Sequence, residues 1–199
     1  MKTAKRQKKL GKIFVISGPS GSGKTTLLES LVKDKEIAKL LVKSCSITTR
    51  PKRAKEREAK EYFFVTPLEF KRLLKAKKIL EWTRYLGYYY GTPKEPLEKQ
   101  LRSSKSVGLC LDLKGSRVLK KIYPNNTVTI FILPPSISEL KMRIKNRSRQ
   151  TKPQEIKQRL SLAGREIKSA GKFDYCILNQ SLSVALRELK NIFLQVNRA

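Results

Sequence analysis

The 199-residue chain contains no histidine. Without an imidazole, Ser-His-Asp and Cys-His catalysis and every His-ligated metal site are excluded, so the chemistry must run without that base. Cysteine is scarce. Cys45, Cys110 and Cys176 are odd in number, far apart and set among apolar residues, which suggests neither a disulfide framework nor a metal knuckle. They are expected to be buried thiols. No apolar run approaches the length that crosses a bilayer, and the basic first residues lead into an apolar strand without a signal-peptide core. No membrane contact and a cytoplasmic location are therefore expected. Acids are few, 16 Asp and Glu against 45 Lys and Arg, for a net charge of +29. That excess predicts attraction to polyanions, nucleic acid included, which weakens steeply as salt rises. A solvated basic surface is the other reading. Zinc-finger spacing and RRM-like aromatic motifs are missing.

What is present begins with Gly18-Pro19-Ser20-Gly21-Ser22-Gly23-Lys24-Thr25, between the apolar run Ile13-Phe14-Val15-Ile16 and the helically spaced Leu27, Leu28, Leu31 and Val32. This is a P-loop, G-x-x-x-x-G-K-[ST]. Its glycines let backbone N–H groups line a concavity for a polyphosphate, and the following helix adds its first amides and its dipole. Lys24 supplies a full charge for the β and γ phosphates, and the Thr25 hydroxyl is placed to ligate Mg²⁺. A nucleotide triphosphate is the expected ligand.

With 39% apolar residues, the chain has enough core for one globular unit. Ile13 to Ser17 reads as a buried strand and Lys24 to about Lys33 as a helix. Leu40 to Ile47 reads as one strand that delivers Ser46-Ile47-Thr48-Thr49-Arg50-Pro51-Lys52-Arg53, and Lys52 to Lys60 as an exposed loop. Glu61 to Val65 is β-forming, Pro67 to Ala76 helical, and Ile79 to Tyr85 a strand ended by Tyr88-Tyr89-Tyr90-Gly91-Thr92-Pro93. Helices over Lys94 to Ser103, Ser116 to Ile122, Ser136 to Arg147 (capped by Ser136), Lys152 to Ala170 and Val184 to Val196 then alternate with strands over Val107 to Leu113, Thr127 to Leu133 and Tyr175 to Leu178. Such alternation implies an α/β fold, a parallel sheet covered by helices on both faces with ligands beyond the strands' carboxyl ends.

The ordered motifs G-P-S-G-S-G-K-T, S-I-T-T-R-P-K-R, E-Y-F-F-V, I-L-E-W, Y-Y-G-T, L-D-L-K-G, F-I-L-P-P-S and D-Y-C-I-L-N resemble those of the guanylate kinases, from Lys12 to the C-terminus. The resemblance implies a P-loop kinase core over 12–40 and 94–199 behind a basic tail, 1–11. It also implies a mainly β GMP-binding insertion over 41–93 and a mobile helical lid over about 136–165. It implies transfer of a phosphoryl group from Mg-ATP to GMP, with dGMP as a further acceptor, in purine nucleotide metabolism. No residue pattern specifies an oligomeric state.

Site residues follow from that match. Arg50 and Arg53 would fork onto the acceptor's phosphate, with hydroxyl donors from Tyr62 and Tyr90. Glu81 matches the family's guanine-reading glutamate, whose carboxylate accepts from N1–H and the 2-amino group together. Asp112 matches the second acidic reader, and Ser46 and Thr92 match hydroxyl positions near the base. Arg143, Arg147 and Arg159 align with lid arginines that neutralise the transferring phosphoryl group, and Asn179 aligns with a residue near adenine. Gly18 to Thr26 would complete the ATP site. The missing histidine fits, because the attacking oxygen belongs to a phosphate already ionised at neutral pH. Several positions depart from the family pattern. Lys52-Arg53-Ala54-Lys55-Glu56 and Ala59 replace a loop richer in glycine, implying a stiffer loop or another path, Cys110 replaces the first acid of the usual D-x-D, and Lys114 replaces a Gln. Three rival readings stand beside this one: a non-catalytic interaction module of the same fold, which typically loses the P-loop Lys and Thr kept here, a nucleic-acid-associated protein, and a P-loop kinase for another phosphorylated acceptor, against which Glu81 and Asp112 argue.

Overall fold

The computed structural model describes residues 10–54, 56–147 and 153–198. From the amino end, β1 (Ile13–Ser17) leads through the glycine-rich turn into α1 (Lys24–Leu31), followed by β2 (Leu41–Lys43) and β3 (Ser46–Thr48). Next come β4 (Tyr62–Phe64), α2 (Pro67–Lys75), β5 (Ile79–Tyr85), β6 (Tyr88–Pro93), α3 (Lys94–Arg102), β7 (Ser106–Cys110) and α4 (Leu113–Ile122). The chain closes with β8 (Thr127–Leu133), α5 (Ile137–Arg147), α6 (Pro153–Ile167), β9 (Tyr175–Leu178) and α7 (Leu182–Arg198).

Five strands in the order β2-β7-β1-β8-β9 form a parallel sheet. The strand period of two divides β1 between both faces. Phe14 and Ile16 pack with Leu27, Leu28 and Leu31 of α1 and with Ala185, Leu189 and Phe193 of α7. Ile13 and Val15 meet Leu97 and Leu101 of α3 and Leu119 of α4 on the other side. Helices thus cover both faces, as the alternating pattern predicts. A small third cluster, Leu140 and Ile144 against Ala163, joins α5 to α6.

A second sheet, ordered β4-β3-β6-β5, stands apart from the first. Here the structure corrects two expectations. Leu40 to Ile47 is not one strand: β2 pairs with β7 in the parallel sheet, while β3 pairs with β4 and β6 in the second. The chain changes sheets at Ser44-Cys45, so the smaller sheet starts after residue 43 rather than at 41; no glycine or proline marks the crossing. Tyr88 to Pro93 is itself a strand, returning antiparallel to β5 across a tight turn in which Leu86 and Gly87 have φ 48° and 87°. Leucine seldom adopts that backbone, which hid the hairpin.

Termini follow side-chain caps. Thr66 accepts from the Glu69 amide while the Glu69 carboxylate accepts from the Thr66 amide, boxing the start of α2 ahead of Pro67. Ser136 accepts from the Glu139 amide, as expected for α5. α4 starts three residues before the expected Ser116 because Asp112 caps it, accepting from the Gly115 amide at 2.8 Å. Cys176 is exposed rather than buried, whereas Cys45 and Cys110 are half-buried. Among the described residues no helix is long and apolar enough to cross a membrane.

Two positions carry stability predictions. Ala59, where the family pattern has glycine, lies at φ 58°. A left-handed alanine costs about 1–2 kcal/mol, partly offset by glycine's greater chain entropy. Ala59→Gly is therefore expected to raise unfolding free energy by up to about 1 kcal/mol in urea titrations. Phe193 is fully buried with its ring centroid 4.9 Å from that of Phe14. Phe193→Ala should cost about 3–5 kcal/mol in the same measurement.

Candidate active site

The P-loop occupies the carboxyl end of β1, where the chain must turn sharply to start α1. Gly23 makes that turn at φ 97°, and a Cβ there would lie 2.2 Å from Asn179 Nδ2. Only glycine satisfies both constraints. Asn179 in turn holds the loop from the end of β9, its Nδ2 donating to the Ser22 carbonyl at 2.8 Å. Lys24 Nζ donates to the carbonyls of Gly18 and Pro19 at 2.6 and 2.8 Å. The lysine's charge is thereby positioned at the helix's positive end, in the loop's concavity.

Two clefts open on this loop. One is lined by Gly18, Ser20, Lys24, Thr25, Ser46, Arg50, Arg53, Tyr62, Glu81, Tyr85, Tyr90, Cys110, Asp112, Arg159 and Glu166, among others. It lies between the parallel sheet and the smaller one. The other is lined by Gly21, Gly23, Lys24, Thr25, Thr26, Arg143, Asn179 and Leu182. Lys24 and Thr25 line both, so the clefts meet at the P-loop lysine and hydroxyl.

In the first cleft, Arg50 is only 9% exposed. Its guanidinium donates twice to the Glu56 carboxylate, at 2.7 and 2.9 Å, and once to the Pro51 carbonyl, and it stands 5.5 Å from the centroid of the Tyr62 ring. Glu56 also accepts from the Arg53 amide and lies 3.6 Å from the Arg53 guanidinium. Burial works against the Glu56 charge, yet its arginine and amide partners keep its carboxyl below the usual range. Tyr62 and Tyr90 meet edge to face at 5.9 Å, which sets both phenols beside the arginines. The result is a cationic, donor-rich corner with its forks pre-oriented.

At the opposite wall, Glu81 is 4% exposed and accepts from Thr92 Oγ1 at 2.5 Å. Burial, joined by the neighbouring Asp112 charge, pushes its carboxyl up to about 7 against the opposing effects of Thr92 and Lys114. Its Oε2 is seated so tightly on the start of α4 that a Cβ on Gly115 would approach it to 2.7 Å. Glu81 and Asp112 therefore share one wall, with Asp112 fixed by its capping bond.

Helix α6 closes the first cleft. Arg159 donates to Ser20 Oγ of the P-loop at 2.7 Å, is held along its own helix by Glu155, and lies 5.8 Å from the centroid of the Tyr85 ring. Arg143 of α5 faces the second cleft, bonded to Glu139 at 3.0 Å and reaching the Asn179 carbonyl at 3.4 Å. Arg147 ends α5, and its side chain lies outside the described residues. Every other expected site residue belongs to the loop or borders one of the two clefts, Thr92 through its bond to Glu81.

Two residues that line the cleft, Tyr85 and Glu166, and one that backs its arginines, Glu56, are not singled out as site residues by the sequence. Glu166 is half-buried, its carboxyl raised by burial and by Asp112 while Lys24 draws it down. Tyr85 packs under Arg159 and has its hydroxyl pushed up to about 12 by burial. A signal for Glu166 did exist: it stands seven residues beyond Arg159 and so on the same face of α6.

Among the described residues no group of three or more Cys, Asp or Glu side chains could chelate a metal ion. The set fits an ion carried mainly by phosphates and water. Thr25 offers one hard oxygen where the clefts join, and Asp112 and Glu166 line the same space.

The family model for guanylate kinase matches residues 10–196. The guanylate kinase of Bordetella pertussis is 43% identical over 182 residues, covering 92% of this chain and 82% of its own length. That of Mycoplasma mobile is 41% identical over 187 residues, 92% of either chain. The crystal structure of guanylate kinase from Anaplasma phagocytophilum superposes with a TM-score of 0.76 at 32% identity, covering 93% of this chain and 85% of that one. With a P-loop joining two clefts on this fold, and these similarities spanning nearly all of its length, the chain belongs to the guanylate kinase family.

Proposed function

We propose that the protein transfers the γ-phosphoryl group of Mg-ATP to GMP, with dGMP as a further acceptor, giving ADP and the guanosine diphosphate. The observation that carries this reading is the meeting of two clefts at Lys24 and Thr25. ATP would lie over the P-loop with its adenine toward Thr26 and Asn179. GMP would fill the first cleft, phosphate on Arg50, Arg53, Tyr62 and Tyr90, and guanine on Glu81, Asp112, Ser46 and Thr92. An oxygen of the GMP phosphate attacks the γ phosphorus, and the bond to the β-phosphate's bridging oxygen breaks as ADP leaves. No base is needed, since the attacking oxygen carries charge at neutral pH.

Positioning and charge neutralisation are then the catalytic task. Lys24, Arg143 and Arg159 converge on the junction from the P-loop, α5 and α6, and Arg147 at the end of α5 is assigned to the same group. Mg²⁺, which supplies further charge neutralisation between the phosphates, would be held by Thr25. Residues 12–43 and 94–199 form the core in this scheme, the smaller sheet is the acceptor-binding unit, and α5 with α6 is the lid that excludes water. The reaction belongs to purine nucleotide metabolism, and we place it in the cytoplasm, with its reactants. Retention of Lys24 and Thr25 supports the kinase over a non-catalytic interaction module. The net charge of +29 adds a general, salt-sensitive attraction to polyanions.

Coupled measurement of ADP formation tests the assignment: GMP should support turnover well above AMP, UMP or CMP, and Lys24→Ala should lower kcat about 100-fold or more. ATP hydrolysis outpacing transfer to GMP would contradict it. Glu81→Gln should lose preference for GMP over AMP, because the paired carboxylate acceptors for N1–H and the 2-amino group are gone.

The raised carboxyl of Glu81 has a stability signature. Its ordinary value is 4.5 and its folded value about 7, so the folded state binds this proton more tightly than the unfolded one. Stability is favoured below pH 4.5 and is lost as pH rises through 7. Relative to Glu81→Gln, the ligand-free wild type should lose about 2–3 kcal/mol between pH 5 and pH 8 in parallel urea titrations. A difference independent of pH would show that the Glu81 carboxyl is not desolvated.

A further inference from the structure

The strand period of two puts Glu81, Thr83 and Tyr85 on one face of β5, and all three line the first cleft. Trp82 and Arg84, which alternate with them, are exposed. At about 3.3 Å per residue Tyr85 lies about 13 Å along the strand from Glu81. One face of the smaller sheet thus reaches from the buried Glu81 carboxyl to α6, the helix that closes the cleft. The hairpin turn at Leu86 and Gly87 follows at once, and Tyr85 pairs with Tyr88 across it. Tyr85 is half-buried, yet its hydroxyl makes no hydrogen bond among the described residues. Its ring does make a contact: the Arg159 guanidinium carbon stands over it, 5.8 Å from the centroid, within the reach of a cation–π attraction.

A guanidinium carries five N–H donors. In Arg159, Nε and Nη2 each donate to Glu155 Oε1, at 2.9 and 2.7 Å, and Nη1 donates to Ser20 Oγ at 2.7 Å. Two N–H groups are thereby left for a phosphate, on a side chain only 12% exposed. Arg159 touches three units at once: its own helix through Glu155, the P-loop through Ser20, and the smaller sheet through Tyr85. The negative face of the ring attracts the charge from the sheet's side, a direction that neither Glu155 nor Ser20 supplies.

We propose that Tyr85 is a positioning residue for phosphoryl transfer: its ring, carried by the smaller sheet, holds the Arg159 guanidinium beside the P-loop. This rests on the kinase reading above, in which Arg159 neutralises the transferring group and the smaller sheet binds the acceptor. The consequence is a link between two units. The sheet that receives GMP also sets an arginine of the lid, so charge is aimed at the phosphoryl group when the acceptor unit is in place. Tyr85 acts through Arg159 and touches neither nucleotide, and its hydroxyl has no part in the role. Without the ring, Arg159 is held by Glu155 and Ser20 alone and spends less time on its target. That loss falls on kcat rather than on substrate affinity, because Arg50, Arg53 and Glu81 still hold GMP and Lys24 still holds ATP.

The test measures steady-state transfer from ATP to GMP by the full chain and its variants. Wild-type turnover comes first, since its absence overturns the kinase reading and this proposal together. Tyr85→Leu should lower kcat about tenfold, while KM for ATP and for GMP each stays within about threefold. Tyr85→Phe keeps the ring and should retain kcat within about twofold. In an Arg159→Ala background, Tyr85→Leu should cost less than about twofold more, because the ring then has no charge to hold. A trifluorinated phenylalanine placed at the same position keeps the ring's shape but weakens its negative face, and should lower kcat about fivefold relative to Tyr85→Phe. That comparison stands even where Tyr85→Leu fails to fold. A raised KM for GMP at unchanged kcat, a loss in Tyr85→Phe equal to that in Tyr85→Leu, equal rates for the plain and fluorinated rings, or losses at the two positions that add in full would each overturn the proposal and leave the kinase reading intact.

Discussion

In the proposed transfer two phosphate chains repel one another, and the reaction depends on overcoming that repulsion at one point. Lys24 and Thr25, where the two clefts meet, are assigned to that point, fixed by a turn that only glycine makes at residue 23 and by the Asn179 bond to the Ser22 carbonyl. The parallel sheet exists, in this sense, to hold the loop still. Its core is packed on both faces, so β1 and β9 cannot shift relative to each other without opening the clusters around Phe14 and Phe193. Charge from separate elements then converges on a fixed target: Arg159 from α6, Arg143 from α5, and Arg50 and Arg53 from the loop beyond β3. Charge placed beforehand in this way limits the rearrangement needed when phosphates arrive, chiefly to the exchange of Glu56 for a phosphate at Arg50 in the proposed scheme.

In a chain so rich in cations, the few acids in and beside the cleft are the more informative residues. Glu56 orients Arg50 by accepting twice from its guanidinium, where the proposed scheme puts the acceptor's phosphate. Glu81 is buried at a cost in stability, which accords with the proposal that it reads a base by hydrogen bonds that would otherwise go unmade. Glu166 brings a negative group on α6 to face Lys24, so the helix that carries Arg159 presents both signs to the P-loop region. Cys110 sits in the same cleft as a thiol raised by burial, hence neutral, at a position where the family pattern carries an acid.

Much of this was readable in the chain itself. β1, β5, β8 and β9 fall on the residues their apolar runs predict, and the P-loop residues form the floor of both clefts. Legibility failed where tertiary pairing overrode local pattern. Val42 and Ile47 look like one strand until β7 and β6 claim them separately. Leu86 conceals a hairpin because its left-handed backbone has no sequence signature. Glu166 and Tyr85 matter through neighbours distant in sequence, and Asp112 hides a helix cap within what reads as the end of a strand.

Joined clefts make a demand that separate ones do not: a ligand carrying both nucleosides at a fixed phosphate spacing should gain from occupying both. Calorimetric titration with adenosine and guanosine linked 5′ to 5′ by five phosphates, in the presence of Mg²⁺, is the direct test. The account predicts one molecule per chain, bound far more tightly than ATP or GMP alone, with either nucleotide competing. Binding no tighter than ATP, with the guanosine end leaving GMP free to bind beside it, would contradict a shared junction at Lys24 and Thr25.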